Sequence, residues 1–105
     1  MRDRVGPVFA ALADPNRRYV VQTLASRGTA TPTELAAALP VTRQAVAKHL
    51  AALRAVGLVS ADRSGREMRY RLTPEPLGEA VDWLERVGSE WDDRLAALSR
   101  HLADR

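Results

Sequence analysis

Apolar residues recur at helical spacing between residues 42 and 56, and this is the strongest pattern in the sequence. Val46, Leu50 and Leu53 follow one another at i, i+4 and i+7, which places them on one face of a helix. The opposite surface carries long polar or very small side chains: Arg43, Gln44, Ala47, Lys48 and Ala51. The pattern predicts an amphipathic helix at about 42–56 with one face for a core and one for a partner.

Two helices are predicted near the start of the chain. The first covers about residues 5–13, and its apolar side consists of Val5, Val8, Phe9 and Leu12. Asp14 and Pro15 favour a new helix start, because aspartate caps free backbone N–H groups and proline fits the first turn. The second helix covers about residues 16–27 and ends at Gly28. Its inner side consists of Val20, Val21 and Leu24.

A short helix and a tight turn precede the segment at 42–56. Residues 31–34 read Thr-Pro-Thr-Glu, a capping box with proline at the first helical position. This helix continues through Leu39 and ends at Pro40, so only a few residues remain before Thr42 can cap the next helix. Two helices joined in this way form a helix-turn-helix.

The pattern changes from a helical to a strand period after Gly57. Two segments flank Ser64-Gly65, and in the second of them apolar and charged residues alternate from Glu67 to Leu72. We therefore predict a β-hairpin over residues 58–72. A hairpin attached to a helix-turn-helix is a wing, and the tip of this one carries Arg63 and Arg66.

One long helix is predicted over about residues 77–102, after a break at residues 73–76. Its apolar residues repeat at alternating intervals of three and four, the pattern of a helix that packs along a second helix. These residues are Leu84, Val87 or Gly88, Trp91, Leu95, Leu98 and Leu102. At ~1.5 Å per residue the helix is ~39 Å long, which is more than a domain this small can cover. We therefore expect a homodimer.

The predicted dimer interface combines this long helix with the first helix. Trp83 and Trp91 are the expected anchors, because an aromatic side chain can bury about 150–250 Å². The same tryptophans could instead belong to an ordinary core or line a small-molecule pocket near the dimer seam. The predicted interface residues are Val8, Phe9, Leu12, Trp83, Leu84, Trp91, Leu95, Leu98 and Leu102.

Charge is distributed unevenly along the 105 residues. The whole chain carries a formal charge of +3, but residues 42–71 hold seven basic residues against two acidic ones, and residues 75–105 hold eight acidic against four basic. A basic middle segment indicates a polyanionic partner, and the acidic tail does not. We predict one domain over residues 1–105. Its fold class is mainly α with a small β-hairpin, a winged helix-turn-helix with a long C-terminal dimerisation helix.

The helix at 42–56 has the composition that a DNA-recognition helix requires. Its donors can reach base edges and its alanines allow close approach, so we predict double-stranded DNA as the partner. Arg43, Gln44 and Lys48 are expected at base edges, Thr42 and Arg54 near phosphates, and the wing arginines at the minor groove. A solvated helix face and a soluble hairpin tip are the alternative interpretations. The predicted DNA-binding residues are Thr42, Arg43, Gln44, Ala47, Lys48, His49, Arg54, Arg63, Arg66 and Arg69.

The chain resembles the ArsR/SmtB-type winged-helix transcriptional regulators over nearly its whole length. The ordered set of matching segments is 12–18, 34–36, 46–50, 53–59, 63–66 and 70–72. The resemblance implies a dimer formed through the first and last helices, a recognition helix in each major groove and wings that reach toward the minor grooves. It also implies repression of the regulator's own operon, with release of DNA when an effector binds.

The sequence departs from the metal-sensing members of that family. Ala36-Ala37-Ala38 stands where such members often carry cysteines, and the chain contains no cysteine. Other members place histidines and carboxylates on the last helix, where this chain has a single histidine, His101. A zinc site requires three or four converging ligands, so we expect no metal site. Ala47 replaces a small hydroxyl residue common in the family, which removes one expected hydrogen bond to DNA, and Arg43 is the candidate to replace it.

The sequence argues against several other classes of protein. His49 and His101 are the only side chains that are bases near neutral pH, and the chain has no serine–glycine elbow and no glycine-rich phosphate loop, so we expect neither an enzyme nor a cofactor. No apolar run reaches the ~18 residues of a membrane span, and we expect a soluble, cytoplasmic protein without a membrane partner. Two alternatives remain: a winged-helix protein-interaction module that does not bind DNA, and a sensor of an unknown small-molecule effector.

Overall fold

The computed structural model describes residues 3–104, which form five helices and a small antiparallel sheet. The helices are α1 Gly6–Leu12, α2 Pro15–Arg27, α3 Pro32–Ala38, α4 Arg43–Ala55 and α5 Pro74–Ala103. The strands are β1 Thr29–Ala30, β2 Val59–Ser64 and β3 Glu67–Leu72. The predicted fold class, a mainly helical winged helix-turn-helix with a long C-terminal helix, is confirmed.

Side-chain caps begin the helices α2, α3 and α4. The Asp14 carboxylate accepts hydrogen bonds from the amides of Asn16 and Arg17 at the start of α2. Thr31 and Glu34 form the predicted capping box of α3, and Thr42 Oγ1 accepts from the Ala45 amide 3.1 Å away at the start of α4. These bonds satisfy backbone N–H groups that have no partner within the helix, so local sequence determines where each helix begins.

Gly57 ends α4 and directs the chain into the wing. Its φ of +78° lies in the left-handed region that favours glycine, and its amide donates to the Arg54 carbonyl 3.0 Å away. Leu58 follows at once, is fully buried, and its amide donates to the Leu53 carbonyl. The wing therefore starts from the core of the domain.

The sheet has the strand order β1-β3-β2, with both pairs antiparallel. β2 and β3 form the predicted hairpin, in which Ser64 pairs with Glu67 across a two-residue turn. Gly65 is the turn residue with positive φ, at +63°, and Arg66 beside it has negative φ, which is the pattern of a type II′ turn. β1 was not predicted, because two residues are too few to show a strand period.

The core lies where α2, α3, α4 and the base of the wing meet. Its largest fully buried side chains are Val8, Val20, Leu24, Leu35, Val46, Leu50, Leu53 and Leu58. The sequence prediction that Val8 lies at the dimer interface is wrong. Only 1% of its surface is exposed, because α1 turns that side chain into the core of its own protomer, so it has no surface to offer a second copy.

The long helix α5 starts three residues earlier than predicted and extends away from the core. The prolines in the Thr73–Pro76 segment were expected to break the chain, but Pro74 is the first residue of α5, where the missing N–H is harmless. Ala80 is the last buried residue of α5. The radius of gyration is 18.6 Å, whereas a compact chain of this length is expected to have ~13 Å. Most of α5 therefore projects from the folded body.

Candidate nucleic-acid interface

The outward face of α4 carries long polar side chains separated by alanines. Gln44, Ala47, Lys48 and Ala51 are exposed on this face, while the apolar stripe of the same helix is fully buried. Thr42, at the cap, borders a shallow depression that is also lined by Gln44, Ala45, Ala47 and Lys48. The alanines leave the backbone accessible, so that the edge of a base pair could come within reach of the two long side chains.

Arg43 occupies a different side of α4. Successive helical residues are about 100° apart, which separates Arg43 from Gln44 by one such step and from Lys48 by about 140°. Arg43 lines a second cavity, of about 260 Å³, between the start of α3, the first turn of α4 and the wing. Arg66, at the wing tip, lines the same cavity. The sequence grouped Arg43 with Gln44 and Lys48, whereas the structure brings Arg43 together with Arg66.

The cations of α4 and the wing fall into two groups. Arg69 pairs with the Glu34 carboxylate at 3.1 Å, and Arg71 pairs with Asp62, also at 3.1 Å. Arg63 donates to the carbonyl of Gly65 within the turn. Within residues 3–104, no hydrogen bond or ion pair engages the side chains of the remaining cations, which are Arg43, Lys48, Arg54 and Arg66. These four are available to a polyanion, and Arg69 is already engaged.

Glu34 connects the helix-turn-helix to the wing. Its carboxylate accepts from the Thr31 amide at 2.9 Å, from Arg27 of α2 at 2.9 Å and from Arg69 of β3 at 3.1 Å. Arg69 also donates through Nε to the Thr29 hydroxyl, 3.2 Å away. One carboxylate therefore contacts α2, α3 and β3, and it fixes the base of the wing relative to the helices. Sequence reasoning found Glu34 only as part of the capping box.

We expect Glu34→Gln to lower the melting temperature near neutral pH and to lose most of this deficit in acid. The hydrogen bond from the Thr31 amide, with help from Arg69 and Arg27, holds the pKa of Glu34 below the ordinary carboxyl value. A lowered folded-state pKa stabilises the fold above the ordinary carboxyl pKa, and this stabilisation disappears as the pH falls through the folded-state pKa. Thermal unfolding followed by circular dichroism near pH 7 and near pH 3 measures the difference.

The control for this experiment is Glu85→Gln, which removes an exposed carboxylate on α5. We expect the control to show the same small difference from the wild type at both pH values. If the melting-temperature deficit of Glu34→Gln did not shrink in acid, the loss of the ionised carboxylate and its contacts would not explain the lower stability of the variant.

His49 is half-buried, and it is separated from the outward face of α4. Its charge acts on Asp14 at the start of α2. Burial raises the pKa of Asp14, but the amides of Asn16 and Arg17, together with the charge of His49, lower it by more. His49 thus lies beside α2, and not on the outward face of α4 with Gln44 and Lys48.

The second exposed surface is the apolar face of α5. Its large apolar side chains are between 37% and 60% exposed, and they are Val81, Trp83, Leu84, Val87, Trp91, Leu95, Leu98 and Leu102. Phe9 of α1 packs edge-on against Trp83, with 5.7 Å between ring centroids. An open cavity of about 470 Å³ borders Trp83 and is lined otherwise by Asp3, Arg4, Val5, Glu79, Asp82 and Arg86. We call the large apolar residues of α5, with Phe9, the α5 face.

Residues 3–104 contain neither a cluster of metal-binding side chains nor a membrane-spanning helix. Residues 3–104 hold no group of three or more histidine, aspartate or glutamate side chains placed to bind a metal ion. Over the same residues, no helix has both the length and the hydropathy needed to cross a bilayer.

Comparison with known proteins identifies the family. A family model for a helix-turn-helix domain matches residues 12–60. The chain is 45% identical to the ArsR-like transcriptional regulator from Rhodococcus sp. RHA1, with a TM-score of 0.78 over 92% of this chain and 91% of that one. It is also 37% identical over 93 residues to the transcriptional repressor SmtB of Mycobacterium tuberculosis, covering 89% of this chain and 67% of that protein. This chain belongs to the ArsR family of winged helix-turn-helix transcriptional regulators.

A further relative of this ArsR-family protein is longer than it is. The HTH-type transcriptional regulator CmtR of Mycobacterium tuberculosis is 43% identical over 77 residues, which is 73% of this chain and 64% of CmtR. Regulators of this family bind DNA and are not enzymes, in agreement with the sequence prediction. In this ArsR-family protein, α3 and α4 form the helix-turn-helix, and β2 with β3 is the wing.

Proposed function

We propose that this ArsR-family protein is a homodimeric repressor that binds a pseudo-palindromic operator near its own promoter. Each protomer places α4 in a major groove and its wing toward the adjacent minor groove, while the α5 faces of two copies pack together. The observation that carries the proposal is the location of two surfaces: cations on α4 and the wing tip that have no partner within residues 3–104, and large exposed apolar side chains on α5. DNA satisfies the first surface and a second copy satisfies the other.

The residues have distinct roles in this proposal. Gln44 and Lys48 read base edges from the outward face of α4, and Ala47 allows that face to approach the groove. Thr42 and Arg54 contact phosphates at either end of the helix, and Arg63 acts with the tip of the wing near the minor groove. We do not assign Arg69 to DNA binding, although the sequence analysis did, because its guanidinium group is bound to Glu34 and Thr29.

Selection of bound duplexes from a random pool is the experiment that tests the proposal. We expect an inverted repeat whose half-sites are about one helical turn (~34 Å) apart, because two-fold protein symmetry is matched by two-fold symmetry of the site. A single unrepeated site would argue against the dimer. Binding that did not weaken steeply as salt is added would instead support a protein-interaction module, since neutralised phosphates release counterions.

Because the protein acts on DNA in this proposal, we place it in the cytoplasm. If an effector releases the operator, its candidate seat is the cavity beside Trp83, because this cavity borders the α5 face and an occupant there would change the packing of two protomers.

A further inference from the structure

Two arginines line a cavity between α4 and the wing. Arg43 lines it from the first turn of α4, and Arg66 lines it from the turn between β2 and β3. The rest of the lining is formed by Thr31, Pro32, Thr33, Glu67, Met68 and Tyr70. Two arginines that border one space repel each other, and an anion held between their guanidinium groups would be attracted to both.

Neither arginine has a competing partner in the part of the chain that the structure describes, residues 3–104. Glu67 is the acidic residue on the cavity lining, and it is exposed and forms no ion pair within the same residues. A guanidinium group is planar and matches the oxygens of a phosphate in a fork geometry. The chemistry of the cavity therefore favours a phosphate-sized anion.

The position of the cavity identifies the source of that phosphate. When α4 occupies a major groove and the wing tip approaches the neighbouring minor groove, the sugar–phosphate backbone that separates the two grooves passes between them. The cavity lies between these same two elements. We propose that Arg43 and Arg66 jointly hold one backbone phosphate of the operator, and that Arg43 positions the helix and does not read bases. This inference rests on the proposed function.

The assignment changes the role of Arg43 that the sequence suggested. Gln44 and Lys48 line the separate depression on the outward face of α4 and do not line this cavity, so the proposal assigns base reading to them alone. A contact to phosphate carries no sequence information, whereas a contact to a base edge does. Arg43→Ala should therefore weaken binding to every duplex by a similar factor, and Gln44→Ala should weaken mainly the binding to the operator.

The test is a double-mutant cycle with Arg43→Ala, Arg66→Ala and the double variant, measured on the selected operator and on an unrelated duplex over a range of salt concentrations. Each single substitution should cost about tenfold in affinity on both duplexes. It should also make the dependence of log affinity on log salt less steep. The double variant should cost much less than the two single losses combined, because the side chains share one phosphate.

Three further variants make the result specific. Arg100→Ala removes one cation from α5, away from the cavity, and should leave both affinities nearly unchanged. Arg43→Lys keeps the charge without the fork and should restore part of the loss. Glu67→Gln removes the carboxylate from the lining and should strengthen binding to both duplexes.

The outcomes distinguish this inference from the proposed function. If the losses of affinity in the two single variants simply add in the double variant, the two arginines do not share a phosphate. If Arg43→Ala changes the base preference, Arg43 is a base reader. In both cases the wild-type protein would still bind its operator, so the proposed function would stand. If the wild-type protein showed no salt-dependent duplex binding, the proposed function would fail and this assignment would fail with it.

Discussion

Leu95→Glu combined with Leu98→Glu should convert the protein from a dimer to a monomer and weaken operator binding by about two orders of magnitude. Both leucines are more than half exposed on the α5 face, so their burial depends on a second copy. Two carboxylates buried in that contact would lose their hydrating water and gain no hydrogen-bonding partner. The burial of apolar surface cannot offset this desolvation cost. A monomer engages one half-site at a time and loses the gain of about 10²–10⁴ that linked binding provides.

Sedimentation velocity measures the oligomeric state, and fluorescence anisotropy with a labelled operator measures the affinity. The matched control is Ser89→Glu combined with Ala97→Glu, which adds the same two charges to exposed positions on the opposite side of α5. The last buried residue of α5 is Ala80, so neither variant should disturb the fold of the protomer. A dimer that survives the leucine substitutions would show that the contact lies elsewhere.

Gln44→Ala combined with Lys48→Ala should remove most of the discrimination between the operator and an unrelated duplex. A good bidentate contact provides about 1–3 kcal/mol of discrimination, and a dimer would lose such contacts in both half-sites. The expected loss of specific affinity is about a hundredfold or more. Arginines away from this face would still bind DNA without sequence preference, so the variant should retain weak, salt-sensitive binding to both duplexes.

Competition between labelled operator and unlabelled duplexes measures this discrimination. Gln22→Ala combined with Arg100→Ala removes the same kinds of group, one amide and one cation, from exposed positions outside α4, and should preserve discrimination. Discrimination that survives the loss of Gln44 and Lys48 would mean that another surface reads the DNA.

Much of the fold could be predicted because its signals are local. The apolar residues of α4 recur at the spacing of a helix and not of a strand. The caps Asp14, Thr31 and Thr42 bind amides no more than three residues further along the chain. Gly57 ends a helix through its own backbone conformation. Such features depend on neighbouring residues, so sequence spacing carries them directly.

The sequence predictions were wrong or incomplete where contacts between residues far apart in the chain determine the structure. Val8 lies on the apolar side of α1, but only the packing of α1 against the body determines that its side chain is buried there. Arg69 looked like a free wing cation because its partner Glu34 is 35 positions earlier in the chain. β1 forms because β3 offers an edge to two residues that have no strand pattern of their own. Arg43 and Arg66 line one cavity only because the wing folds back beside the first turn of α4.

In the proposed dimer, the length of α5 would link the contact between the protomers to the spacing of the operator half-sites. The segment from residue 81 to the end of the helix is ~34 Å long, and a change of about 10° in the angle between two such segments displaces their ends by about 6 Å. Conservative substitutions on the α5 face that alter this angle without separating the protomers would leave the half-site sequence unchanged. They would instead shift the number of base pairs favoured between the half-sites, so that the spacer of the operator is selected by residues that never touch it.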